Sequence, residues 1–237
     1  WYQRRVREFK YKLDLYYTGY YGKQKEPTVD GWQSKINKVT SNYSIQDAQE
    51  FFQVMEAAPP FQEVQNGFTY YWFKDNSYPS WESCPGAWML EFKDERPDDH
   101  VKEHPEDWLK VKCDYEARII ALLMYWMGGT NQEFSNSTMG VVIKIRRARI
   151  TIQLWFKEEN MCNKLRDQFA VILKPDQKQR DDIMSKIKIL SIDEVQQQSA
   201  SNSKKSSRSN SRRNSEQRSN SKNVERDDRQ KSNRKFK

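Results

Sequence analysis

The chain has 237 residues, 36% of them hydrophobic and 13% aromatic, enough to bury one substantial core. Its formal net charge of +8 is confined to the end: residues 196–237 hold 13 Lys or Arg against 4 Asp or Glu, which leaves 28 bases and 29 acids in the rest. Three widely spaced cysteines (Cys84, Cys113, Cys162) and two histidines support neither a disulfide framework nor a zinc site, and no apolar run reaches membrane-spanning length.

In chain order, Phe9, Tyr11, Leu13 and Leu15 alternate with polar residues ahead of Tyr16-Tyr17, which predicts a half-buried strand. Residues 19–31, with Pro27 and Asp30-Gly31, read as a loop, and Trp32 follows directly, where packing against the core is the usual reason for an indole. Residues 44–55 predict a capped helix with Ser44 or Asp47 as the cap and Ala48, Phe51, Phe52 and Met55 at three and four spacing; Pro59-Pro60 stops it. Residues 68–73 and 87–92 read as strands joined by a short loop that carries Trp81 and Glu82.

Residues 93–107 are too polar and proline-broken for a core element and read as an exposed acidic insertion; His100 and His104, four apart within it, lack the framing ligands of a metal site. Residues 115–127 predict an apolar helix ended by Gly128-Gly129. Residues 141–146 and 150–155 predict a hairpin around Arg147-Ala148-Arg149, residues 161–173 a further helix, 181–186 a short one and 187–192 a last strand. This order gives an α+β domain over residues 1–195 with a largely antiparallel sheet. Beyond it, residues 196–237 contain only Ala200, Val224 and Phe236 as apolar residues and repeat Ser-Asn-Ser-Lys at 201–204 and 219–222. Such a segment is expected to be disordered: a solubilising extension, a binder of RNA backbone, or a substrate for phosphorylation, for which Arg212-Arg213-Asn214-Ser215 supplies a basic-flanked serine.

Three stretches bear a resemblance to one family. Trp32-Gln33 with Ile36 and Val39, Phe73-Lys74-Asp75 through Pro79-Ser80-Trp81-Glu82, and Gly140 through Arg146 to Trp155 stand in the order and spacing of the eukaryotic translation initiation factor 4E family, whose members bind the 7-methylguanosine cap of messenger RNA. The resemblance spans about residues 9–193 and implies a curved, mostly antiparallel sheet with helices on its convex face and the cap pocket on the concave side. It implies that Trp32 and Trp81 sandwich the cationic base, with a cation–π gain of about 2 kcal/mol or more when desolvated. Glu82 would accept charge-assisted hydrogen bonds from the base N1 and N2 hydrogens.

Arg146 matches a phosphate ligand of the family, or else is a solvated strand residue; Trp155 matches a contact to the cap methyl group, or else packs in the core. The family's second basic ligand falls at Thr151, where Arg147 or Arg149 is the available replacement, and its basic residue before Trp88 is Ala87 here. On the helical face, where the family takes a short helix from a scaffold subunit or a competing repressor, Phe52 stands at the signature tryptophan, with Ile120 and Met124 at apolar positions of the next helix. The His-Pro pair before the first strand is Arg7-Glu8, and the family's typical members lack residues 93–107.

Cap binding in translation initiation with recruitment of a scaffold is therefore the expected function; a cap-binding repressor, or an interaction protein with weak cap affinity and an RNA-binding tail, are the alternatives. Catalysis is not expected, since no Ser-His-Asp set, glycine-rich phosphate loop or metal cluster can be assembled, and no cofactor is implied. A soluble protein of a reducing compartment, the cytoplasm or also the nucleus, is expected. The chain opens on Trp1 rather than Met, as a piece of a longer protein would, and its first residues lack a signal peptide's apolar core.

Overall fold

In the computed structural model of the chain, residues 8–19, 36–39, 44–64, 67–74, 77, 84–174 and 177–195 are described. Residues 20–31 of the loop expected at 19–31, Trp32, Trp81, Glu82 and the tail from 196 onward lie outside them. The chain divides into two units, Trp1–Asp193 and Glu194–Lys237.

Period-two alternation builds the first unit. In β1 (Glu8–Thr18) Leu13 and Leu15 are fully buried on one face while Asp14, Tyr16 and Thr18 take the other. The described elements then run β2 (Asn37–Lys38), β3 (Ile45–Asp47), α1 (Ala48–Ala57), β4 (Thr69–Lys74), β5 (Trp88–Glu95), α2 (Asp98–Glu103), α3 (Pro105–Met127), α4 (Gln132–Ser137), β6 (Thr138–Arg146), β7 (Arg149–Phe156), α5 (Glu159–Leu173), α6 (Gln177–Lys186) and β8 (Ile187–Ser191). The eight described strands form one sheet in the order β2-β1-β4-β6-β7-β5-β8, with β3 also paired to β1, and every pairing is antiparallel. The sheet is open and curved. The expected α+β class is therefore what the chain forms.

One face of the sheet makes the core. Tyr70 and Trp72 of β4, Val141, Ile143 and Ile145 of β6, Ile150, Ile152 and Leu154 of β7, and Leu90 and Phe92 of β5 pack with the apolar stripes of the helices. On α3, Trp108, Lys112, Tyr115, Ile119, Leu122 and Trp126 recur at three and four spacing and are all buried, and on α5 Cys162, Leu165, Phe169 and Leu173 do the same. Burial pushes the Cys162 thiol up to about 12, which leaves it protonated and unreactive as part of this packing.

Four features depart from the sequence reading. The helix expected from residue 44 starts at Ala48: Asp47 is its cap, accepting from the Glu50 amide at 2.9 Å, while Ser44 donates to Asp14 Oδ1 at 2.8 Å and residues 45–47 form β3. Residues 93–107 are not a loop. Lys93, Asp94 and Glu95 complete β5, and α2 buries Val101 and carries Asp98 and Asp99 in its first turn, where acids favour the helix dipole; Pro105 then occupies the first position of α3. The strands β4 and β5, adjacent in sequence, are kept apart in the sheet by the β6–β7 hairpin. The short helix α4 carried no signal in the periodicity; its cap, Asn131, accepts from the Phe134 amide at 3.0 Å. No helix among the described residues is long and apolar enough to cross a membrane.

A buried polar contact ties α3 to the sheet: the Tyr115 hydroxyl donates to Asp94 Oδ2 at 2.8 Å, and Arg96 Nε lies 3.5 Å from the other oxygen. Burial, and next the Asp94 charge, raise the Tyr115 pKa, so the phenol stays a donor at every physiological pH. Tyr115→Phe should lower stability by about 1–3 kcal/mol, the cost of a buried acceptor losing its partner. Urea unfolding measures this, and an unchanged midpoint would show that Arg96 alone satisfies Asp94.

Candidate functional site

The face away from the core helices is organised in rows, because residues paired across antiparallel strands point the same way. The first row runs Asp14, Phe73, Gly140, Trp155, Met89 and Leu190. The second runs Tyr16, Tyr71, Val142, Gln153, Glu91 and Lys188; the third Thr18, Thr69, Lys144, Thr151 and Lys93; the fourth Arg146, Arg149 and Glu95. The inner face thus grades from aromatic to cationic. Along β7 the step from Trp155 to the Thr151 row is about 13 Å, and that to Arg149 about 20 Å, at the usual rise of a strand.

The aromatic end depends on a missing side chain. A Cβ on Gly140 would lie 2.7 Å from three Phe73 ring atoms, so glycine is what allows that ring to lie across β6. Phe73 meets Trp155 edge to face, with centroids 5.4 Å apart at 83°. Trp155 is only 3% exposed, and among the described residues its indole Nε1 has no hydrogen-bond partner. The same holds for the indoles of Trp108 and Trp126 in the core, so the unpaired N–H does not by itself mark a ligand.

At the other end Arg146 closes the hairpin. Its Nη1 donates to the carbonyls of Phe68 and Ile145, each at 2.9 Å, with the Thr69 hydroxyl 3.5 Å away, so the guanidinium is partly buried and held against the start of β4. Burial, chiefly, lowers its pKa, Tyr71 opposing and Arg149 adding to the fall. Arg147 is exposed at the turn. Arg149 shares the inner face with Arg146; its Nη1 is 3.8 Å from Glu95 Oε1, and its buried Nε has no partner among the described residues. Ala87, where the sequence reading missed a cation, is buried, and its carbonyl accepts from the Ile192 amide at 2.9 Å.

Between the ends, Gln153 Nε2 donates to Glu91 Oε2 at 2.6 Å and Lys93 Nζ lies 2.6 Å from Glu91 Oε1, so that buried carboxylate is compensated within the face. Lys144 and Lys93 had no role in the sequence reading. The alternation Val142, Lys144, Arg146 carried the signal that Lys144 faces the same way as Arg146, but the neighbours on β7 and β5 were not visible in it.

The structure thus brings Arg146, Arg149 and Trp155 to one face, with Arg147 at its rim. On the opposite face Phe52 is 45% exposed on α1, beside the buried Phe51 at 5.3 Å, while Ile120 and Met124, one turn apart on α3, are partly buried against the core. Phe52 stands on a different helix from the other two, and both helices cover the sheet on the same side.

A sheet covered by helices on one face, with an aromatic-to-cationic ladder on the other, defines a single-sided α+β receptor. The family model for eukaryotic initiation factor 4E matches residues 10–217. The chain belongs to the eukaryotic initiation factor 4E family. It is 26% identical over 177 residues to eukaryotic translation initiation factor 4E of Eremothecium gossypii, covering 71% of this chain and 74% of the relative. The same factor from Saccharomyces cerevisiae is 25% identical over 173 residues, 70% of this chain and 72% of that one. Among solved structures, Ascaris suum eIF4E-3 in complex with an m7G cap has a TM-score of 0.58 at 12% identity, covering 79% of this chain and 92% of that one. Caenorhabditis eIF4E-3 (C. elegans) in complex with the 4E-binding protein Mextli and cap analog has a TM-score of 0.53 at 16% identity, covering 73% and 88%. At these identities the structural likeness establishes the fold.

Gly140→Ala should displace Phe73 and cost about 1–3 kcal/mol, the usual scale for added volume in a packed site. Urea unfolding together with the near-ultraviolet circular dichroism of the Phe73–Trp155 pair measures it; unchanged stability and spectrum would show that the ring has room to move aside.

Proposed function

We propose that this chain binds the 7-methylguanosine cap of messenger RNA on its inner face and acts in translation initiation by recruiting a scaffold subunit, or meeting a competing repressor, on its helical face. The observation that carries the reading is the ladder itself: an aromatic row with Phe73 against Trp155, followed along the same strands by rows of cations. That order suits a flat base followed by a chain of phosphates. The relatives' cap complexes support it.

In this reading Trp32 and Trp81 stack on the two faces of the cationic base and Glu82 accepts from its N1 and N2 hydrogens, while Trp155 stands at the methyl-bearing edge. Arg146 faces the phosphates, with Arg147 or Arg149 as the second cation. On the helical face Phe52, with Ile120 and Met124, offers apolar surface to the short helix of a partner. Residues 196–237 add a sequence-independent attraction for RNA backbone, because thirteen dispersed cations engage phosphates and read no methyl group.

Adding 7-methylguanosine triphosphate should quench the intrinsic tryptophan fluorescence, with unmethylated guanosine triphosphate much weaker, and Glu82→Gln should cost roughly 1.5–3 kcal/mol of that binding. An equal response to the two nucleotides would sink the sandwich. Deleting residues 196–237 should leave the affinity for free cap analogue within about twofold but weaken binding to a capped oligonucleotide and flatten its salt dependence. Identical salt slopes with and without the segment would show that it does not touch RNA.

A further inference from the structure

A cavity of about 340 Å³ lies on the helix-covered side of the sheet, where the end of β5, the first half of α3, the end of α5 and α6 meet. It shares no residue with the rows of the inner face or with the surface of Phe52, Ile120 and Met124. Its walls are of two kinds. Phe92, Tyr115 and Ile183, all buried, and the half-buried Val111 make an apolar floor, with the Phe92 and Tyr115 rings 5.9 Å apart. Around it stand three acids and three bases: Asp94 and Arg96 at the end of β5, Asp114 of α3 and Lys174 just past α5, and Asp182 and Lys186 of α6.

The acids are already answered within the chain. Asp94 Oδ2 accepts from the Tyr115 hydroxyl at 2.8 Å and its Oδ1 faces Arg96 Nε at 3.5 Å; Asp114 gives one oxygen to Arg118 and the other to Lys174, each at 2.9 Å; Asp182 holds Lys186 at 2.6 Å. Burial works against the charge on Asp114, yet the hydrogen bonds from Arg118 and Lys174 hold its carboxyl below its ordinary value.

The bases have donors to spare. Arg96 offers Asp94 only its Nε, its side chain is 46% exposed, and among the described residues neither of its terminal nitrogens makes a hydrogen bond. Lys174 and Lys186 each direct one of three ammonium hydrogens at an acid, and Lys174 Nζ stands over the apolar floor, 5.7 Å from the centre of the Tyr115 ring. With Arg118 behind Asp114, four bases meet three acids, an excess of one positive charge.

We propose that this cavity binds a small organic monocarboxylate, its carboxylate on the terminal nitrogens of Arg96 with Lys174 and Lys186 alongside, and its apolar body on Phe92, Val111 and Ile183. One negative charge matches the excess of one. A planar carboxylate also matches the two parallel donors of a guanidinium, which an ammonium does not offer. A phosphate monoester would bring about two negative charges and leave the floor uncovered. The volume is at the small end of ligand cavities and takes one ring or a short branched chain, not a nucleotide. Such a carboxylate belongs either to a free acid or to the last, apolar residue of a peptide chain.

The test is an NMR titration of the full chain with 3-phenylpropionate, against its uncharged amide, 3-phenylpropionamide. The acid should shift the Ile183 methyl and Arg96 Nε–H signals saturably with a Kd of about 1 mM, and the amide should bind at least about tenfold more weakly. Arg96→Gln should weaken the acid about tenfold, the scale of one charge-assisted contact. Should loss of the Asp94 contact upset the fold of that variant, Val111→Phe takes its place: it fills the cavity from a half-buried wall and should abolish the shifts. Equal binding of acid and amide, shifts that survive both substitutions unchanged, or no saturable shift up to about ten times the expected Kd would each overturn the proposal. N-acetyl-Gly-Gly-Phe then separates the sources of the carboxylate. Tighter binding than 3-phenylpropionate supports a chain terminus as the ligand, and weaker binding supports a free acid.

Discussion

The inner face of this fold depends on the register of four strands, β4, β6, β7 and β5. In each, alternate residues feed the helix-covered core, and the residues between them make the inner face. A slip of one residue in β7 would send Ile150, Ile152 and Leu154 to the inner face and bury Thr151, Gln153 and Trp155 under the helices. The apolar half of the pattern is thus what holds the polar half in place. Fully buried Val141, Ile143, Ile145, Ile150, Ile152 and Leu154 set the register on the core side, with Phe73, Met89 and Trp155 adding to it at the aromatic end of the inner face.

That division frees the inner face to carry groups that cost stability. Where a buried acid occurs there it is answered within the chain: Asp14 by Ser44 and Lys38 at 2.8 Å each, Glu91 by Gln153 and Lys93. The donors are treated differently. Among the described residues Trp155 Nε1 and Arg149 Nε are buried without acceptors, and Lys144 has no carboxylate at ion-pair distance, although the Glu91 charge acts on it. Unpaired buried donors also occur away from this face, at Trp108 and Trp126 Nε1 in the core, so what sets the inner face apart is its rows of cations rather than its unpaired atoms.

Much of this was legible in the sequence, for separable reasons. Strand and helix types followed from period, since β1, the β6–β7 hairpin, α3 and α5 each have long, consistent patterns. The order of strands was not legible, because pairing β4 with β6 rather than with β5 is a non-local choice that no residue of the connecting segment encodes. Ser44 and Asp47 both had the chemistry of a cap; Asp14, thirty residues away, decided between them by taking the Ser44 hydroxyl. Residues 93–107 misled through average polarity, whereas the informative features were positional: Pro97 ahead of Asp98-Asp99, Pro105 at a helix start, and the single apolar Val101 turned inward. On the site, alternation placed Trp155 and Arg146 on one face, but Gly140 as the seat of the Phe73 ring, and Lys144 as the neighbour of Thr151, emerged only with the pairing. The assignments of Trp32, Trp81 and Glu82 still rest on the motif that carries them.

The placement of charge follows from the same economy of position. Residues 1–195 are close to neutral, with 28 bases and 29 acids, so the domain as a whole has little long-range pull on a polyanion. Its cations act because they are concentrated, two rows deep, on a face where burial reduces screening by salt and water. In the proposed reading such an arrangement is selective, since a phosphate chain would be held only when the group ahead of it fits the aromatic row and sets its register along the strands. The remaining charge, in residues 196–237, has the opposite character: dispersed, set among Ser and Asn, and able to attract any nucleic acid at a strength set by ionic strength. Under the proposed reading, separating the two kinds of charge would let a general attraction for RNA vary with salt, or with phosphorylation of the many serines, without altering which end of the RNA the folded domain accepts.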